Sequence, residues 1–176
     1  MIRLPDLPPG VVLPVVTAPA RVLSEPCQEV DPKDPAVVQL AADLLATMAV
    51  SPGCVGLAAN QVGEPLRMFS LDVSAHPKAR ICHGVYVLCN PVITAATRNE
   101  KSREGCMSVP DFTGDIKRAS RLTVDGVLPV TGERVTIVTD AFEARALQHE
   151  IDHLDGLLFL DRVADARAVH PRRTYL

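Results

Sequence analysis

The chain has 176 residues, 47% of them apolar and 22% charged, which supplies one sizeable buried core and is too apolar for a disordered or fibrous protein. The formal net charge of −3 comes from intermixed signs with no long basic block, so neither stable nucleic-acid binding nor an anionic membrane surface is expected. Five cysteines, an odd number with no C-x-x-C pair, argue against a disulfide framework and leave single thiols free for chemistry.

The opening MIRLPDLPPGVVLPVV is apolar, but Pro5, Pro8, Pro9 and Pro14 cut it, so it cannot form the uninterrupted apolar helix of a signal peptide. No other stretch is long enough to span a bilayer, and a cytoplasmic location with reduced thiols is the expectation. Asp34-Pro35, a capping residue followed by proline at the first helical position, opens a helix expected to reach Ala49 before Pro52-Gly53 stops it. Its apolar stripe of Val37, Leu40, Ala41, Leu44, Leu45 and Met48 marks a packing helix.

Next comes CVGLAANQ, in which Gly56, Ala58 and Ala59 permit close backbone approach and Gln61 offers an amide that both donates and accepts. Taken singly, such a small-residue turn serves packing more often than function. β-type runs near Leu66 to Val73, Val85 to Cys89, Arg121 to Asp125 and Arg134 to Val138 are separated by turn signals at Asn90-Pro91, Asp125-Gly126 and Thr131-Gly132. These predict short antiparallel strands with short returns. Lys117, Arg118 and Arg121 read as a solvated loop edge, and REGCMSVP as a glycine-containing turn that carries Cys106.

A second helix is expected from about Asp140, with Asp140 and Glu143 as a capping pair and Gly156 as its stop. The fold class is therefore α+β. Short antiparallel sheets pack around a central helix carrying His-Glu-x-x-His, with one N-terminal packing helix, in a single domain over 1–176 whose tail is irregular from about 164.

On the second helix His149 and His153 are four residues apart, so their side chains rise from adjacent turns of one face and can reach a single ion. Glu150 lies about 100° round the helix, within reach of water at such an ion without being a ligand. The histidines continue an apolar stripe with Phe142 and Ala146, next to a second stripe of Ala144, Leu147, Ile151 and Leu154. Two histidines buried in this way need partners, and a metal satisfies both. A catalytic site also needs a third ligand and an open position. Cys106 is the candidate, Gly105 allowing its backbone close to the ion, although on composition alone a structural thiol is an equal reading.

The three stretches C-V-G-L-A-A-N-Q, E-G-C-M-S and Q-H-E-I-D-H, in this order, resemble the motifs of the peptide deformylase family. Val-Leu-Cys-Asn-Pro before the second and Leu-Asp-Gly-Leu-Leu-Phe after the third extend the likeness from Asp34 to about Val163. The resemblance implies a metal-dependent hydrolase that removes the N-terminal formyl group from formyl-methionine of nascent or newly made polypeptides, releasing formate. It implies Cys106, His149 and His153 as metal ligands, Glu150 as the catalytic glutamate, Gln61 as a substrate-facing amide and the Met107 backbone N–H as an oxyanion donor. It also implies Fe²⁺ as the native ion, with Zn²⁺, Ni²⁺ or Co²⁺ as substitutes; ligand type alone favours Zn²⁺.

Two positions depart from the family pattern, Cys54 for its first glycine and Met107 for its leucine. Val55, Gly56, Phe142 and Ala146 are expected to line an apolar pocket for an unbranched methionine side chain, with Arg145 at the rim holding a substrate carbonyl or simply solvated. Arg172 and Arg173 in the tail suggest a transient ribosome contact through the RNA backbone. Two other readings of His-Glu-x-x-His compete. A zincin-type endopeptidase needs a downstream third ligand, for which only His170 is present, and a structural metal clip has no use for Glu150.

Overall fold

The computed structural model describes residues 1–173. Among these it contains two α-helices, α1 (Pro35–Val50) and α2 (Ala141–Leu154), four short 3-10 helices, and six strands: β1 (Gly56–Ala58), β2 (Met68–Leu71), β3 (Tyr86–Cys106), β4 (Val109–Val127), β5 (Arg134–Asp140) and β6 (Val169–Pro171). All strand pairings are antiparallel, in the order β1-β2-β3-β4-β5, with β6 added on β4. The α+β class is as expected. Among the described residues no helix is long and apolar enough to cross a membrane.

Alternation along β2 and β3 builds the layers. Phe69, Leu71, Tyr86 and Leu88 face α2, where they pack on Ala144, Leu147, Ile151 and Leu154. Met68, Val87 and Cys89 face the other way, onto Val37, Leu40, Ala41, Leu44 and Met48 of α1. The sheet thus lies between the two helices, and both faces of these strands are buried. The predicted stripe of α1 is the one that packs, and Asp34 caps the helix by accepting from Ala36 N at 2.8 Å.

The N-terminal segment runs outside this core without forming a helix. Gly10 lies so close to α1 that a Cβ there would meet the backbone of Ala42. Val11 N–H donates to Asp43 Oδ1 (2.7 Å) and Leu13 N–H to Thr47 Oγ1 (2.9 Å). Val16 N–H then reaches Gln61 O (2.8 Å) and Ala18 N–H reaches Ser108 O (2.9 Å), which tie this strap to two of the three motif stretches.

Several expectations are corrected. The strands are not all short: β3 has 21 residues and β4 has 19, and they form one long hairpin. Asn90-Pro91 and Asp125-Gly126 are not turns. Asn90, at φ 51°, sits at a register shift inside β3, with its side-chain amide bonded to Val30 N and O, and Gly126 continues β4 beneath Leu88. Thr131-Gly132 does form the β4–β5 turn. Cys106 is the last residue of β3 rather than part of a long turn, since only Met107 and Ser108 separate it from β4.

The expected capping pair does not form: Asp140 precedes α2 but makes no side-chain cap bond, and Glu143 is fully buried, where it accepts from His83 N, His83 Nδ1 and Thr139 Oγ1. Gly156, at φ 76°, ends α2 as predicted. The tail is not irregular throughout, for Val169 to Pro171 pair with Phe112 to Gly114.

Candidate metal centre and active site

His149 and His153 project from adjacent turns of α2 with their Nε2 atoms 3.2 Å apart. Cys106 Sγ, delivered from the end of β3, lies 3.2 Å from His153 Nε2. Among the described residues this is the only trio of His, Cys, Asp or Glu side chains that could hold a metal, its ligand atoms all lying within 4.8 Å of one another. A thiolate and two imidazoles that converge in this way fit one tetrahedral ion with a position left for water or substrate. His170, the ligand a zincin reading requires, hydrogen-bonds Asp115 instead (3.1 Å) and is not part of the trio.

The supports of these ligands come from residues that sequence reasoning missed. His149 Nδ1 is 2.9 Å from Glu104 Oε2, which makes Nδ1 the protonated nitrogen and leaves the Nε2 lone pair for an ion. Glu104 is in turn gripped through both oxygens by Arg118, from Nε and Nη2 at 3.0 Å each. The third nitrogen of Arg118 binds Asp152 at 2.5 Å, and Asp152 also takes Arg162 in a bidentate pair at 2.7 and 3.1 Å. Within this network the two carboxylates are balanced by two guanidiniums, that of Arg118 buried and that of Arg162 half exposed. Arg118 is only 4% exposed, which overturns the solvated loop edge expected for it; its partners lie 14 and 34 residues away in the chain. Asn60 Nδ2 donates to His153 O at 2.6 Å and fixes the end of α2.

Electrostatics follow from this packing. Burial pushes Glu104 up, but hydrogen bonds from His149 and Arg118 and their charges outweigh it and hold the carboxyl at about 2. Burial likewise raises the Cys106 thiol, while the charge of His153 and hydrogen bonds from both histidines bring it well below the ordinary thiol range. Glu150, 3% exposed, is pushed up to about 7 by burial, against the lowering charges of His149 and His153. Its Oε2 has no hydrogen-bond partner among the described residues. Gly56 lies directly against this carboxylate, for a Cβ at that position would stand 2.8 Å from Glu150 Cδ.

Gln61 is buried, and both ends of its amide are in use. Oε1 accepts from Ala58 N at 3.0 Å, and Nε2 donates to Ser108 Oγ (3.1 Å) and towards Cys106 Sγ (3.4 Å). Cys54, at the family's glycine position, donates its thiol to Gly56 O at 3.1 Å. Burial and the neighbouring Glu150 charge push that thiol up to about 12, so it stands as a neutral hydrogen-bond donor beside the site.

A cavity of about 910 Å³ opens over these groups. Gln61, Cys106, Met107, His149 and Glu150 lie at it, as do the predicted pocket residues Val55, Gly56, Phe142, Arg145 and Ala146. His153 is fully buried beneath. Phe142 is not a bare wall: His76 stacks on its ring at 3.5 Å and Arg145 lies 5.2 Å from its centroid. Arg172 and Arg173 also line the cavity, which puts the tail arginines at the mouth of the site.

The profile described as polypeptide deformylase matches residues 12–169. A peptide deformylase from Pelotomaculum thermopropionicum is 37% identical over 161 residues, 92% of this chain and 97% of its own. The crystal structure of peptide deformylase from Ehrlichia chaffeensis superposes with a TM-score of 0.80 at 33% identity, covering 90% of this chain and 91% of that one. A class I type b peptide deformylase from Acinetobacter baumannii, solved with Met-Ala-Ser bound, gives 0.77 at 32% identity over 87% and 99%.

Proposed function

The chain belongs to the polypeptide deformylase family, and from that premise we propose which of its groups carry the reaction. The activity is hydrolysis of the N-terminal formyl amide of formyl-methionine in newly synthesised polypeptides, which releases formate and a free amine. The observation that carries the assignment of roles is the convergence of Cys106, His149 and His153 beside a buried, unpartnered Glu150 oxygen at one cavity.

Cys106, His149 and His153 would hold one divalent ion, which when bound supplies Lewis-acid polarisation of the formyl oxygen and a more acidic water. Fe²⁺ is proposed as that ion on family membership, with Zn²⁺, Ni²⁺ or Co²⁺ as substitutes that one thiolate and two imidazoles also accept. Glu104 keeps His149 in the tautomer that offers Nε2. Glu150 takes a proton from the attacking water on its carboxylate and returns it to the departing amine nitrogen; a carboxyl raised towards neutrality suits both transfers.

Negative charge on the formyl oxygen is met by the Met107 backbone N–H and by the Gln61 Nε2–H that otherwise points towards Cys106 Sγ, the other hydrogen staying on Ser108 Oγ. Ser108 Oγ and Ala58 N hold the Gln61 amide plane in place, so that donor costs little reorganisation. The methionine side chain enters between Val55, Phe142 and Ala146, with Gly56 lending backbone and Arg145 at the rim. The Met-Ala-Ser bound by the Acinetobacter baumannii protein is what remains of formyl-Met-Ala-Ser after loss of formyl, which supports a formyl-methionyl peptide as the substrate. The working place is the cytoplasm, where formylated chains emerge, with transient ribosome contact; co-sedimentation with ribosomes at low and high salt tests the latter.

The test of the reaction uses anaerobically purified protein with formyl-Met-Ala-Ser and with an internal peptide, with and without chelator, beside Glu150→Gln. Formate release that disappears in the chelated and mutant samples supports the assignment. Cleavage of the internal peptide alone would sink it.

A further inference from the structure

The mouth of the cavity has the opposite charge balance to the chain, whose formal net charge is −3. Lys78, Arg145, Arg172 and Arg173 line it, and the exposed carboxylate among the lining residues is Asp111. The other two lining cations, Lys101 and Arg103, are matched by Asp115 at 3.7 and 3.0 Å, and the lining Glu104 is matched by Arg118. No carboxylate pairs with Lys78, Arg145 or Arg173 among the described residues.

These cations are placed by the fold. Arg145 rests over the Phe142 ring at 5.2 Å, held by the ring face instead of an acid. The pairing of β6 with β4 carries the tail to the mouth, where Arg172 N–H donates to Asp111 O at 2.8 Å and Arg172 Nη1 to Cys106 O at 3.3 Å. Gly105 makes room for this guanidinium, since a Cβ there would stand 2.8 Å from Arg172 Nη2. Arg173 follows, exposed, at the rim. A chain whose formyl-methionine occupies the inner pocket must leave past these groups, and fixed positive charge there attracts a carboxylate.

We propose that this cationic mouth makes the enzyme select formyl-methionyl chains carrying an acidic side chain at the second or third residue, with Arg145 and Arg173 as specificity-determining residues. The inference rests on the formyl-methionine reading of the inner pocket. An exposed ion pair accounts for at most about a fivefold effect, so the two together give at most about a 25-fold preference at low salt.

The test compares kcat/KM for C-terminally amidated formyl-Met-Ala-Glu-Ser, formyl-Met-Ala-Gln-Ser and formyl-Met-Ala-Lys-Ser. Glu is expected fastest and Lys slowest, with the spread collapsing at high ionic strength and in Arg145→Gln/Arg173→Gln. Formyl-Met-Ala as free acid and as amide separates a chain-end carboxylate from a side-chain one; a gain confined to the free acid overturns the proposal. Equal rates for the three amidated peptides, or a preference that survives both salt and the double substitution, overturn it too while leaving deformylation intact. Formate from none of the peptides overturns the deformylase reading and this proposal with it.

Discussion

Glu104→Gln tests how the site is held. The substitution keeps shape but removes the charge that receives His149 Nδ1 at 2.9 Å and Arg118 at 3.0 Å twice over. In the native protein the Glu104 carboxyl falls from 4.5 to about 2, which corresponds to about 3 kcal/mol of preference for the ionised form in the fold. His149 and Arg118 both contribute, and Arg118 keeps Asp152 as a partner in the variant, so the net loss is on the order of 2 kcal/mol. For a chain of this length that is a fall in Tm of about 5 °C. Ion affinity should fall about 10- to 100-fold, because nothing then fixes the His149 tautomer.

The pH dependence of this term has a definite sign. A depressed carboxyl stabilises the fold fully above its unfolded value of 4.5 and loses that contribution as pH falls towards about 2, so the variant should have the flatter stability profile across that window. Chelator competition measures affinity, and denaturant melts at pH 7 and pH 3 measure the rest. Unchanged ion affinity in Glu104→Gln would refute the positioning role, and an equally steep acid loss would refute the electrostatic one.

Other expectations follow from single contacts. Gly56→Ala drives a methyl group into the Glu150 carboxylate and should lower kcat on the order of a hundredfold while Tm moves by only a few degrees, as measured by formate release and thermal melts. Ala146→Phe fills the inner cavity and should raise KM for formyl-Met peptides; an unchanged KM removes Ala146 from the methionine pocket. Burial sets Glu150 at about 7, and the positive charge of a bound ion lowers it, so kcat/KM should fall on an acid limb below pH 7, as followed by formate release across pH 5 to 8; a flat profile over that range removes Glu150 as the base. Gln61→Ala should lower kcat roughly a hundredfold or more, since one oxyanion donor and the anchor on Ala58 N are both lost.

What was readable from the chain is what short-range geometry controls. The i, i+4 spacing of His149 and His153 on one helix face, the cap of α1 at Asp34, the stripe beneath α1 and the stop at Gly156 each depend on residues within a few positions. The long hairpin was missed because Val92 to Lys101 are exposed at every position, so no alternation marks the strand; backbone pairing to β4 holds it instead of burial. Along β4 alternation does exist at Ile116, Arg118, Ser120, Leu122 and Val124, but a buried arginine in the row disguises it.

The sequence by itself determined that His149, Glu150 and His153 share one helix, with the two histidines on one face, and the motif order brought in Cys106 and Gln61 as their candidate partners. Only the tertiary structure decided what surrounds them. Arg118 reads as solvated in the chain because an ion pair leaves no local trace when its partner, Asp152, is 34 residues away. The same holds for Glu104, 45 residues from the histidine it orients, and for the tail arginines, which reach the cavity mouth only because β6 pairs with β4. A charge in sequence looks the same whether water or a distant carboxylate will satisfy it, and the fold alone brings the second into reach.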